Sequence, residues 1–235
     1  MQTVYYIILG PMVYLAFAVF FLGMVIRLVK IFREPKHPTT LQVFPERRPK
    51  RLLALYDSFL MPAVAREKPL FWVLLGLFHL CFLLLLIGHV ELFKAFPVFQ
   101  VIPHEIFLGK GFVGLILSLC LLLFLFRRFR SPYRELSVPE DYYLLILLFL
   151  AVLFGSQMHW ARRWYGYGGM AVEEYRTYLV SLLHLRPKIS PVTESGHSFM
   201  LVLHVFFANL FLMVFPFSQL MHSCFSFPLN RLKRG

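Results

Sequence analysis

Apolar residues fall in five long runs, separated by stretches that carry prolines, charges or arginine clusters. They cover Val4 to Val29, Leu70 to Phe93, about Glu105 to Phe126, about Tyr142 to Trp160, and a last run opening near Ser198 and extending to Phe227. Each approaches or exceeds the ~20 residues that an α-helix needs to cross a bilayer's hydrocarbon core. The pattern predicts an all-α integral membrane protein, a bundle of five transmembrane helices. The first run lacks a charged leader and a small-residue cleavage site, so it is read as a retained span. Between the first two runs, residues 31–69 contain Pro35, Pro38, Pro45 and Pro49. Leu52, Leu53, Leu55, Tyr56, Phe59 and Leu60 recur there at roughly helical spacing, which predicts a short amphipathic helix over residues 52–65. Such a helix suits the membrane surface, a partner, or a plain solvated face.

Composition agrees with the pattern. Of 235 residues, 59% are hydrophobic and 15% charged, against ~45–50% and ~25% in soluble domains. One membrane domain over residues 1–235 is the natural organisation, with a 31–69 cytoplasmic loop and a 161–197 outer loop. The net charge of +12 does not indicate nucleic acid, because Lys and Arg flank the apolar runs. Seventeen lie on the side that takes the first polar loop, the Arg127–Arg134 loop and the tail, against seven on the other. The positive-inside rule then puts the N-terminus outside and the C-terminus in the cytoplasm. Cys81, Cys120 and Cys224 sit within or at the end of apolar runs, with neither C-x-x-C-H nor zinc spacing, and read as small hydrophobes.

The chemistry lies in the histidines. His204 and His222 are eighteen residues apart, five turns of a continuous helix, so they share a face and stand ~27 Å apart along it. His79 and His89 are ten residues apart in the second run, or ~15 Å, with Gly76 and Gly88 expected to allow close approach. The two runs are antiparallel, so depth pairs His89 with His204 outside and His79 with His222 inside. Facing histidines can hold a haem iron axially, or simply hydrogen-bond between helices, and spacing alone leaves both readings open. The unequal separations need tilt or a kink at Pro216.

The pattern Phe78-His79, Gly88-His89, His204 and His222, with Phe215-Pro216-Phe217-Ser218-Gln219-Leu220-Met221-His222, resembles the gamma subunit of respiratory nitrate reductase. The likeness extends over the membrane bundle. It implies two haem b groups, the inner on His79 and His222 and the outer on His89 and His204, with quinol oxidised near the outer one. It also implies a quinone-site role for Lys110, at the outer end of the third run, where a snorkelling lysine is the plainer reading. The 31–69 insertion is longer than in that subunit. It looks more like the DsrM-type membrane cytochromes of a sulfite-reductase-associated complex, which dock a cytoplasmic iron–sulfur subunit resembling heterodisulfide reductase.

Further candidates gather at the outer edge. His104 and Glu105 suit proton acceptance from a quinol, or a loop and helix start. Gly88 leaves room beside His89. Arg162 and Arg163 suit haem propionates or a helix-end anchor, near His159. His197, seven residues before His204, is a rival ligand, whereas His37 and His184 have no chemical context. Inside, Arg127, Arg128 and Arg130 suit propionates, an acidic partner, or positive-inside flanking.

The chain has no iron–sulfur cysteine motif and no nucleotide loop, so electrons must pass to another subunit. The expected assembly lies in a bacterial or archaeal cytoplasmic membrane. It comprises this dihaem cytochrome b, menaquinone or ubiquinone as substrate, a cytoplasmic iron–sulfur subunit and other membrane subunits. Alternatives are a nitrate reductase gamma subunit, a haem-bearing anchor relaying electrons from an external multihaem cytochrome c docked on the outer loop, or a non-redox transporter or anchor.

Overall fold

The computed structural model describes residues 2–33, 49–94, 112–165, 171–194, 198–221, 226–227 and 230. Among them the regular structure is entirely helical. The helices are α1 (Gln2–Leu9), α2 (Pro11–Arg33), α3 (Lys50–Leu60), α4 (Pro62–Glu67), α5 (Pro69–Phe93) and α6 (Val113–Arg128). They continue with α7 (Tyr133–Leu136), α8 (Pro139–Tyr165), α9 (Val172–Leu183), α10 (Ser190–Thr193) and α11 (Ser198–Val214). Four segments are long and apolar enough to cross a membrane: Gln2–Lys30, Pro69–Phe93, Pro139–Met158 and Ser198–Phe217. The expected third span is represented by the 16 residues of α6, ~24 Å of helix. Residues 105–111 lie outside the described part of the chain.

Residues 1–19 and 77–213 form one compact unit. Lipid is as apolar as a leucine side chain, so apolar area alone does not hold such helices together, and close packing and hydrogen bonds must. The α5–α6–α8 contact is built accordingly. Cys81, Leu117 and Leu121 are buried among Phe78, Phe82, Leu85, Leu145, Phe149 and Val152. A Cβ on Gly114 would run into the Ser156 hydroxyl and lie 3.2 Å from its Cβ. The two backbones meet there because one residue has no side chain. Ser118 Oγ donates to the Gly114 carbonyl at 2.9 Å and Ser156 Oγ to that of Val152 at 2.8 Å, so the hydroxyls bring no unmet polar group into the seam.

The turn from α6 to α8 uses arginines that the sequence shows only as positive flanking charge. Arg128 pairs with Asp141 at 2.8 Å and donates to Ser137 Oγ at 3.0 Å, while Tyr142 donates to the Arg128 carbonyl at 2.9 Å. Arg127 lies 3.7 Å over the Tyr133 ring. Asp141 also accepts the Val138 N–H at 3.1 Å, satisfying one of the free amides at the start of α8.

Within the expected outer loop, residues 171–194 are described. α9 opens with Glu173 and Glu174, and Glu174 reaches back to accept the Ala171 N–H at 2.8 Å. These carboxylates suit the positive end of the helix dipole. Tyr178 and Leu182 of α9, with Val192 of α10, are buried against Leu9, Val13, Leu201 and Val202. The segment is a cap on α1, α2 and α11.

Residues 20–76 and 214–235 form the second unit. The amphipathic helix expected over residues 52–65 occurs as two pieces, α3 and α4, broken at Met61 with φ 43°. Pro62, the first residue of α4, cannot continue α3 because it has no N–H. The left-handed Met61 that results costs ~1–2 kcal/mol. Trp72 Nε1 donates to the Leu60 carbonyl at 2.6 Å, which satisfies one of the carbonyls the break exposes.

The end of the fifth span corrects the sequence reading. α11 stops at Val214, Phe215–Phe217 is a 3-10 turn, Ser218 is extended with ψ 168°, and Gln219–Met221 is a second 3-10 turn. The proline does not kink a helix that continues to His222; it ends the helix. The continuous helix on which the five-turn, common-face reading of His204 and His222 rested is thus interrupted at Val214, and His222 itself lies outside the described residues. Pro216 lacks the donor that helical continuation needs. Its ring is seated on the backbone at Gly23, where a Cβ would lie 2.7 Å from Pro216 Cβ. Ser218 Oγ donates to the Phe215 carbonyl at 2.8 Å and accepts the Leu220 N–H at 3.2 Å, and Arg27 donates to the Ser218 carbonyl at 3.1 Å.

Gly114→Ala should destabilise the protein by about 1–3 kcal/mol through overpacking. Adding Ser156→Ala should restore part of that loss, because the clash is with the hydroxyl. Thermal unfolding of the four variants in detergent gives the coupling, and additive losses would contradict the seam described.

Candidate functional site

His89 projects from α5 one residue after buried Gly88, and His204 from the second turn of α11. Their ring centroids are 5.9 Å apart with planes inclined at 30°. Each ring is oriented by its Nδ1. That of His89 lies 2.6 Å from the Leu85 carbonyl, one turn back on its own helix, and that of His204 lies 2.7 Å from the Ala151 carbonyl of α8. A carbonyl oxygen only accepts, so both Nδ1 atoms carry the proton and both Nε2 atoms keep a lone pair. A backbone partner on the far nitrogen is the usual support of a metal-ligating histidine; it fixes the tautomer and raises the basicity of the other nitrogen.

The fourth span makes room for this arrangement. Ala151 is buried, and Gly155 follows one turn later. A Cβ on Gly155 would sit 2.9 Å from His204 Nδ1 and 3.0 Å from its Cε1, so the imidazole lies on the bare backbone of α8. Phe154 stacks on Phe207 at 5.6 Å, which joins α8 to α11 one turn further along.

The pair can be tested against the group that the histidine pattern implies. Two metal–imidazole bonds of about 2 Å each, plus the distance from each nitrogen to its ring centre, add up to roughly 6 Å between rings. The observed 5.9 Å meets that requirement. Among the described residues, no three His, Cys, Asp or Glu side chains converge on a point. Two imidazoles alone are the donor set that a haem iron would take. The residues fit.

The other expected site residues are distributed as follows. His79 is exposed on α5, with its ring edge-to-face with Phe78 at 5.1 Å. His222, Lys110, His104, Glu105 and His197 lie outside the described residues. Arg162 and Arg163 fall on the last turns of α8, as does His159, with only their backbone described. Gly88 is buried, and a Cβ on Gly76 would meet no described atom within 4 Å. The space beside Gly76 is open among the described residues.

The sequence reading missed the groups that aim the histidines, namely the Leu85 and Ala151 carbonyls and Gly155. The Ala151–Gly155 spacing, two small residues one turn apart in a span, was the available signal. It also missed Glu91, two residues after His89 and only 3% exposed. Arg176 of α9 was missed as well; its Nε donates to the Leu92 carbonyl at 3.3 Å. Burial pushes the Tyr175 phenol up to about 12, helped by the Glu174 carboxylate, and pushes Tyr178 higher still. Both remain neutral hydrogen-bond donors at physiological pH.

Comparison with known proteins matches residues 63–235 to the nitrate reductase gamma subunit family. The match begins within α4, so most of the 31–69 insertion precedes it. The chain is also 35% identical over 163 residues to an Hdr-like menaquinol oxidoreductase cytochrome b-like subunit of Archaeoglobus fulgidus, over 65% of this chain and 47% of that protein. It thus spans about half the length of this curated relative.

Gly155→Ala should push His204 off the Ala151 carbonyl and weaken cofactor retention by roughly 10–100-fold, the usual cost of losing an outer partner of a ligating histidine. The readout is the Soret absorbance per protein of the purified variant. Gly76→Ala, with no described neighbour to disturb, should keep the unaltered ratio.

Proposed function

This chain belongs to the nitrate reductase gamma subunit family, and on that premise we propose that it is the dihaem cytochrome b subunit of a respiratory complex that oxidises menaquinol or a related quinol. The single observation that carries the reading is the His89–His204 pair, with rings 5.9 Å apart and both Nδ1 atoms held by main-chain carbonyls. Haem b, when bound, supplies one-electron exchange between the two-electron quinol and a partner subunit. His89 and His204, each with Nε2 free, would hold the outer group. His79 and His222 hold the inner one, an assignment that rests on the sequence pattern.

Oxidising a quinol to a quinone releases two electrons and two protons. Lys110 binds a quinol oxygen near the start of the third span, and His104 and Glu105 take up the protons. Arg162 and Arg163 would pair with haem carboxylates, as a guanidinium favours. With the N-terminus outside, protons leave on the outer face of a bacterial or archaeal cytoplasmic membrane. The electrons go to a cytoplasmic iron–sulfur subunit of the heterodisulfide-reductase-like type. That partner is favoured over a nitrate-reducing one by the Hdr-like menaquinol oxidoreductase among the relatives and by the insertion that precedes the family match.

A reduced-minus-oxidised spectrum with pyridine haemochrome quantitation should give two b-type haems per chain, and a chain without haem would end the proposal. His204→Ala should lose one of the two and keep the other. In the intact complex a menaquinol analogue should reduce the haem signal, and Lys110→Ala should lower that rate by roughly 10²-fold or more, as removal of a positioned electrostatic group does. An unchanged rate would leave Lys110 as an interface anchor.

A further inference from the structure

The C-terminal end of α9 lies level with the interior of a membrane span. Tyr178 donates to the Leu9 carbonyl at 2.7 Å, and Tyr14 donates to the Leu182 carbonyl at 3.0 Å. A Cβ on Gly10 would lie 3.4 Å from the Pro187 ring. These contacts set residues 182–187 beside residues 9–14 of the apolar segment Gln2–Lys30, ~10–18 Å along the helix from Gln2. On the other side, Leu182 and Val192 share a buried cluster with Leu201 and Val202, one turn inside α11.

At this depth the chain turns outward. Leu183 is 67% and Leu185 75% exposed, and His184, Arg186 and Lys188 are exposed between and after them. Leu185 takes a left-handed φ of 56°, a conformation that glycine usually supplies at a helix end. It is held there by its N–H on the Leu182 carbonyl at 3.0 Å and by the Arg186 N–H on that of Ser181 at 3.1 Å. The Ser181 hydroxyl accepts the Lys188 N–H at 2.9 Å. The N–H groups of His184, Leu185, Arg186 and Lys188 are all hydrogen-bonded, and the turn presents a leucine side chain outward.

Two exposed leucines on a soluble surface would be unexceptional. Here they lie beside a segment long and apolar enough to cross a membrane, on which Leu15 is 56% and Phe17 45% exposed. We infer that residues 183–188 form a lipid-embedded corner. Leu183 and Leu185 lie among acyl chains below the headgroups, and Arg186 and Lys188 reach up to lipid phosphates. A cation on a long stem beside buried leucines is the arrangement that an interfacial segment requires. The cap on the bundle is then a bilayer-interface element and not a platform for a soluble partner. This does not depend on what the histidines bind.

The unaltered protein can be tested in vesicles of phosphatidylcholine and phosphatidylglycerol containing a lipid with a photoreactive diazirine high in its acyl chain. Peptide mapping should find lipid adducts at Leu183–Lys188 in yields comparable to those at Leu15–Phe17. Adducts at Leu15 and Phe17 with none at residues 183–185 would overturn the inference. So would cross-links from that corner to another polypeptide in native membranes. A nitroxide on Leu185→Cys, in a Cys224→Ser background, should meet a water-soluble nickel chelate severalfold less often than one on Glu173→Cys, whose parent side chain is 77% exposed. Equal collision rates at the two labels would count decisively against it.

Discussion

Helix ends in an apolar solvent leave carbonyls with nothing to accept from, and each unmet group costs several kcal/mol in lipid. The same constraint recurs through this protein, and so does its solution. Tyr178 donates to Leu9 at the end of α1, Tyr14 to Leu182 near the end of α9, and Arg176 to Leu92 at the end of α5. Trp72 donates to Leu60 at the end of α3, and Tyr142 to Arg128 at the end of α6. In most of these, a donor distant in sequence satisfies the last turn of a helix. The bonds tie particular helices together where greasy surfaces alone would let them slide. Asn209, the one buried asparagine of α11, donates to the Ile8 carbonyl at 3.4 Å in the same way.

The histidine pair is a specialised use of that chemistry. His204 donates from Nδ1 to a carbonyl within α8, and His89 does so within α5. In each case the proton goes to the backbone and the lone pair of Nε2 is left for chemistry. Gly155 is what allows the α8 carbonyl to be reached, since any side chain there would displace the ring. Site and packing are therefore one arrangement. The contact that brings α8 against α11 is also the contact that sets the imidazole's tautomer.

Much of this was legible in the chain. The boundaries of the second span and the start of the fifth fall within a residue of those expected, because long apolar runs bounded by charge have few alternatives in a bilayer. The pairing of His89 with His204 follows from depth and antiparallel order, and the rings do meet. The continuation of the last helix to His222 was misread. Hydrophobicity persists past Pro216, so the apolar pattern carried no mark of the stop. That stop depends on Gly23 receiving the proline ring and on Arg27 reaching the Ser218 carbonyl, contacts nearly two hundred residues apart in sequence. The 161–197 loop was legible only as length and charge, since the burial of α9 needs α1 and α11 as walls.

The sequence by itself determined the solvent, the helical class and the family, because each is a property of local composition or spacing. Tertiary structure alone decided which carbonyl holds each imidazole, where the fifth helix ends, and that the 172–194 segment is an ordered cap. The physical reason is common to all three. A hydrogen bond or a bare-backbone contact between distant segments has no periodicity to announce it, and exists only once the helices that carry its two halves are packed together.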